Sequence, residues 1–251
     1  MTRFLPHLPR RLFLLVMLAG SALITAYSIP YFDFDTLPPF VIEKLPVRFE
    51  SLWLASLRIH VAAASLSLPI CIALMTRALQ RRVVWHRRLG RVGGALVLFA
   101  LVPSGTVLAF DAKGGRVVTA GFLLSAAIVA WFMVRGVAAA RRHDVLSHQR
   151  AMRHVLGQMS VAVTSRTMLL GFDGAGVNPD LAYVVALWVP VLASAAVVEL
   201  LSLRIGSASR VAASVVQLVE RIRRELCPPS LFVRVRSLAG PRLARRARLG
   251  R

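Results

Sequence analysis

His86, Arg88 and Arg91, and again His148, Arg150 and Arg153, repeat the spacing His-x-Arg-x-x-Arg, and each copy stands before a long apolar run. Imidazole ligates metals and guanidinium binds carboxylate or phosphate. The combination therefore suits the headgroups of anionic lipids at the membrane surface. In a helix the two arginines of each copy, three residues apart, share a face, and the histidine points well away from both. Arginines turned to headgroups would leave each histidine turned to the interior. His60 and Arg166 form a second set. Both stand inside apolar runs, where an ionisable residue is costly and must face a partner, a cavity or water.

These side chains need rods to hold them. The 251 residues are 57% hydrophobic with a mean hydropathy of +0.65, and the apolar residues gather in runs of roughly 18 to 25, the length that crosses a bilayer. The expected class is all-α: a polytopic transmembrane helical bundle of about six spans, at 12–28, 52–76, 89–110, 117–137, 151–171 and 181–203. The alternating short segments of a membrane barrel are not seen. The first span, preceded by Arg3, Arg10 and Arg11, reads either as a secretory signal or as an uncleaved helix; no clear small-x-small cleavage site favours the helix.

The net charge of +21 would suggest nucleic acid in a soluble chain, but in a membrane protein basic residues gather on the cytoplasmic side, so no nucleic-acid partner is expected. Placing both termini inside puts 26 of the 32 basic residues on inner segments and leaves Lys44, Arg48, Lys113 and Arg116 outside, with Arg58 and Arg166 within spans. Asp33, Asp35, Glu43, Glu50, Asp111, Asp173 and Asp180 fall on the outer side. The expected location is therefore a bacterial inner membrane, with anionic headgroups as partners at the cytoplasmic face. Residues 29–51, rich in proline and aromatics, are expected along the interface. Residues 208–226 can form an amphipathic helix on Val211, Val215, Leu218 and Ile222, followed by a basic tail. Cys71 and Cys227 fall at different depths, which argues against a disulfide.

What lies beneath each histidine narrows the choices. Gly90, Gly93, Gly94 and Ser104 continue the stripe below His86; small residues allow either close helix packing or room for a flat cofactor. Met152, Val155, Met159, Val163 and Arg166 lie below His148, so this face is expected to be buried. His60 stands about 12 Å into the second span from outside, which sets it level with Arg166 as a possible pocket or as a structural hydrogen bond. Glu199 is expected to pair or snorkel. His143 and His154 read as surface residues, and His7 as part of the N-terminal tail.

The residues from His60 to Arg166 resemble a bacterial family of predicted membrane proteins, domain of unknown function 2306. The shared features are His60, Arg77, the run HRRLGR at 86–91, Ser104-Gly105, Gly114-Gly115, Gly121-Phe122, His148 and Arg166. The family usually follows its second histidine with a Trp-Met pair and an arginine; here Ala151 and His154 take the places of the tryptophan and the arginine. The resemblance implies architecture rather than an activity. A looser similarity to 561-type b cytochromes implies haem b held by His86 and His148, with Arg88, Arg91, Arg150 and Arg153 on its propionates. His60 has no histidine partner on the fourth span, so a second haem of that kind is not implied.

Three functions stay open: a cofactor-binding electron-transfer protein using haem b at His86 and His148, or a quinone near His60 and Arg166; a transporter of a proton or small anion through that same pocket; and a non-catalytic lipid-interacting protein. No nucleophile–base set, metalloprotease motif or phosphate loop appears. The expected organisation is an N-terminal helix and outer loop (1–50), a four-helix membrane domain (51–172), a sixth membrane helix (173–204) and a basic tail (205–251).

Overall fold

Six long helices form where the six apolar segments lie. The computed structural model describes residues 8–226 except 34 and 37, and side chains from 11 to 203 apart from 34, 37 and 40. The helices are α1 (Leu8–Tyr27), α2 (Glu50–Leu74), α3 (Val83–Phe110), α4 (Gly115–Arg141), α5 (Val145–Gly174) and α6 (Pro179–Leu226), and among the described residues there is no strand. The all-α expectation holds. Four segments are long and apolar enough to cross a membrane: α2, α3, α4 and the Pro179–Leu203 part of α6. The apolar part of α1, Arg11–Tyr27, is shorter. α5 carries Arg150, Arg153, Gln158 and Arg166 and lacks a comparable apolar stretch.

Every long helix begins before the span that hydropathy places, and α3 and α5 do so by the most. α5 starts at Val145 because the Asp144 carboxylate accepts the Ser147 N–H at 3.0 Å, an N-cap one turn before the apolar run. α3 starts at Val83, after a short helix Arg77–Arg81 capped by Thr76. Both His-x-Arg-x-x-Arg copies are thus inside helices, and His86 and His148 are each the fourth residue of theirs.

The most polar helix is the central one. Val155, Met159 and Val163 of α5 are buried with Met17 of α1, Leu68, Cys71 and Ile72 of α2, Val97 of α3, and Val129 and Met133 of α4. The outward surface is apolar instead: Leu66, Phe99, Trp131, Leu192 and Leu200 are exposed. Such an inversion of the soluble pattern is what a hydrocarbon solvent permits, because exposed leucines there lose nothing and polar groups must find partners inside.

The segment 29–51, expected along the interface, folds onto α2. Its short helix Pro39–Lys44 buries Val41 against Trp53 and Leu57. Arg58, counted from sequence as an in-span charge, donates through Nε to the Tyr31 carbonyl at 3.1 Å and ties this segment down. An exposed Lys113–Glu43 ion pair of 3.2 Å joins it to the α3–α4 turn.

The chain divides into two compact units, Met1–Glu199 and Leu200–Arg251. The first holds the bundle. The second continues the α6 backbone as helix to Leu226. The Val211, Val215, Leu218 and Ile222 stripe, Cys227, the basic tail and His7 lie outside the described side chains.

Candidate functional site

The two repeated histidines meet. The rings of His86 and His148 lie with their centroids 6.4 Å apart and their planes at 80°. The Nδ1–H of His148 donates to the Gly136 carbonyl of α4 at 2.9 Å; a carbonyl only accepts, so this bond fixes the proton on Nδ1 and leaves the lone pair on Nε2. His86 Nδ1 is buried with no hydrogen-bond partner. Two half-buried imidazoles at one end of the bundle therefore hold coordinating nitrogens that no group among the described residues uses. The small stripe below His86 splits in its role. A Cβ on Gly93 would stand 2.9 Å from Ile70 Cγ2, which is close helix packing, whereas Gly90, one turn below the ring, has open space beside it.

The flanking arginines do not all behave as headgroup ligands. Arg88 and Arg91 are exposed, with Arg88 over the Trp85 ring at 5.8 Å, and Arg153 is half-buried. Arg150 instead pairs with Glu199 of α6.

A second polar cluster lies at the far end. Ser104 follows His86 by eighteen residues on the same helix, a rise of about 27 Å, and Ser104 is where α3 meets His60 of α2. His60 Nδ1 donates to the Leu101 carbonyl at 3.2 Å and lies 3.3 Å from Ser104 Oγ. Leu101 closes a π-helical turn, Val97–Leu101, in which the Val102 N–H reaches back five residues to Val97. Pro103 two residues on has no N–H to continue an α-helical ladder, and π turns of this kind are frequent at functional sites. The ring can approach only because residue 105 is glycine: a Cβ there would stand 2.9 Å from His60 Cε1 and 3.1 Å from Nδ1. The Ser104-Gly105 pair is thus explained by His60. Arg166 of α5 is near enough to His60, Tyr31 and Tyr183 to bear on them electrostatically. Its guanidinium donates to the Ala162 carbonyl at 2.9 Å and stays exposed, so the face below His148 is buried only as far as Val163.

His154 corrects the sequence reading. It is not a surface residue: it is 2% exposed, stacked on Phe132 of α4 at 3.9 Å and 8°, and its Nε2 lies 2.8 Å from Glu199 Oε1. One turn further on, the buried Gln158 accepts from Ser125 Oγ at 2.9 Å and donates to the Val191 carbonyl at 2.9 Å and to Ser194 Oγ at 3.0 Å. The signal in the sequence was the four-residue step from Arg150 through His154 to Gln158 on one helix, with a single acid, Glu199, at matching depth on another.

Outside the membrane-spanning segments, hydrogen bonds from Ser147 hold the Asp144 carboxyl below the usual carboxylate range. Among the described residues no group of three or more His, Cys, Asp or Glu side chains is placed to hold a metal ion on its own.

The model of the family of predicted membrane proteins called domain of unknown function 2306 matches residues 57–202, more than half of the chain, and the chain belongs to that family. The matched stretch holds His60, His86, His148, His154, Arg166 and Glu199, and so includes the three polar clusters. No curated protein and no solved structure matches the chain.

Proposed function

We propose that this membrane protein crosses a bacterial inner membrane six times with both termini in the cytoplasm, and that His86 and His148 hold a b-type haem for electron transfer. The convergence of the two histidines carries this reading. Two imidazoles sharing one metal atom at about 2 Å from each nitrogen place their ring centres about 6 Å apart, and the rings stand at 6.4 Å. A metal bound only by protein would need further ligands that the described residues do not bring together. A haem brings four nitrogens of its own and asks for just two side chains. The Gly136 carbonyl bond on His148 is the outer-shell contact that orients a ligating imidazole. Arg88, Arg91 and Arg153 are the remaining cations for propionates or for anionic headgroups. When bound, haem supplies a one-electron couple at this end of the bundle.

The topology rests on charge asymmetry, with α1 and α5 crossing because they pack against the apolar helices α2, α3 and α4. Anionic lipid as a partner is supported by a cleft of about 440 Å³ lined by Leu98, Val134, Val137 and Ala138, with Arg141 and Arg142 also on its wall. A second reading is favoured by the His60–Arg166 cluster, which would hold a quinone or a small anion at the outer end.

The haem reading is tested by purifying the full chain in detergent and recording its absorption spectrum. About one haem per chain is expected, by pyridine haemochrome, with loss of the Soret band in both His86→Ala and His148→Ala. A colourless protein of full helical content, from cells supplied with haem, ends this reading. Reporter fusions at residues 81–88 test the topology; periplasmic activity there reverses it.

A further inference from the structure

α3 and α4 pack closely at one end and part toward the other. Val102–Phe110 of α3 lies against α4, whereas Val83–Leu96 has little contact with it. The parting begins at the π turn Val97–Leu101, a kind of place where helices bend. Leu98 of that turn heads the cleft of about 440 Å³, and Val134, Val137 and Ala138 of α4 carry its wall down to Arg141 and Arg142. Val134 is 55% exposed, so the cleft opens on the outside of the bundle. Water held in a cavity needs polar partners, and above the arginines the wall offers only hydrocarbon side chains. In a bilayer such a trough is filled by hydrocarbon. α4 has 27 residues and is about 40 Å long, close to the thickness of a bilayer with its headgroups, so its last turn lies at headgroup level. Arg141 and Arg142 are exposed there, and neither is ion-paired with a described residue. Asp144 feels Arg142 electrostatically, but its carboxylate accepts from Ser147. Arg135, by contrast, is laid over the Trp131 ring at 5.3 Å. Cations suit any helix C-terminus; that accounts for the two charges but not for the apolar trough they close.

We propose that this cleft binds one anionic phospholipid, with an acyl chain along Leu98, Val134, Val137 and Ala138 and the phosphate on Arg141 and Arg142. The inference rests on the reading of anionic lipid as a partner and narrows it to one site and one lipid per chain. It does not depend on haem. A trough of hydrocarbon ending in two unpaired cations is complementary, part for part, to a chain ending in a phosphate. A zwitterionic lipid has the same chain and phosphate, but its ammonium offsets the attraction, so the site selects by net charge.

The test uses the full chain in detergent, with phosphatidylglycerol or phosphatidylcholine added and bound lipid counted by native mass spectrometry. One phosphatidylglycerol per chain should be retained at concentrations where phosphatidylcholine is lost. A cation at the headgroups favours an anionic lipid by about fivefold, so Arg141→Gln together with Arg142→Gln should weaken this first binding by about fivefold or more. Arg81→Gln together with Arg82→Gln removes the same charge from the connection between α2 and α3 and should leave it unchanged. The chain is located in the wild type, without any variant: phosphatidylglycerol carrying a mid-chain diazirine, in phosphatidylcholine nanodiscs, should label Leu98 and residues 134–138 above other exposed apolar positions such as Leu66 and Leu192. Label spread evenly over the apolar surface overturns the proposal. So does equal weakening by the two arginine pairs, which would leave anionic lipid as a diffuse partner only. Equal retention of both lipids by the wild type overturns the proposal and the partner reading together.

Discussion

Gly105→Ala is the sharpest probe of the His60 cluster, because its effect depends on a single neighbour. The new Cβ would meet His60 Cε1 at 2.9 Å and Nδ1 at 3.1 Å. Since the ring carries the hydrogen bond to Leu101, moving it away also breaks that 3.2 Å contact. Overpacking costs about 1–3 kcal/mol, and losing a hydrogen bond adds about 0.5–1.5 kcal/mol. Against this, alanine is a better helix former than glycine by about 1 kcal/mol. The net expectation is a loss of about 1–3 kcal/mol. In a His60→Ala background the clash and the bond are both gone, and Gly105→Ala should become neutral or stabilise by up to about 1 kcal/mol. A double-mutant cycle, measured by denaturant unfolding of the reconstituted protein, should therefore give a coupling of about 1–4 kcal/mol. Additive effects, or an equal loss in both backgrounds, would refute the contact between His60 and the Ser104-Gly105 turn.

Other perturbations read other parts of the molecule. Gln158→Ala removes a buried amide from Ser125, Ser194 and the Val191 carbonyl, and should destabilise by about 2–4 kcal/mol in thermal unfolding, since it strands polar partners and opens a cavity; an unchanged melting temperature would show that water replaces the amide without loss. Asp144→Ala should fray the start of α5, seen as faster amide exchange at residues 145–148, whereas Asp144→Asn should keep the cap. Because hydrogen bonding lowers the Asp144 pKa in the folded state, its contribution is present above the ordinary carboxylate pKa and is lost as pH falls through the folded value. The wild-type α5 start should therefore loosen below about pH 4, and Asp144→Asn should not share that acid sensitivity. Cys71, buried in the core, should resist maleimide in a Cys227→Ser chain until the bundle is denatured; rapid labelling in the folded protein would place α2 differently.

Hydropathy and charge determined a good deal unaided. The helix-length apolar runs forecast every long helix, because a segment in hydrocarbon must satisfy its own backbone and only the helix does so locally. The repeated His-x-Arg-x-x-Arg spacing marked His86 and His148 as interior-facing, and in-span rarity marked His60 and Arg166, since both inferences follow from one helix's periodicity or from transfer cost. Tertiary structure alone decided which of these side chains meet. Nothing in α2 or α3 taken singly announces that His60 lands on Gly105 beside a π turn; the contact arises from the crossing of two helices. His154 was misjudged for the same reason. It stands among arginines in sequence, and its burial depends on Phe132 and Glu199, which arrive from two other helices. Composition fixes what each rod can tolerate in lipid, but the rotation of one rod against another is set by side-chain packing between residues far apart in the chain.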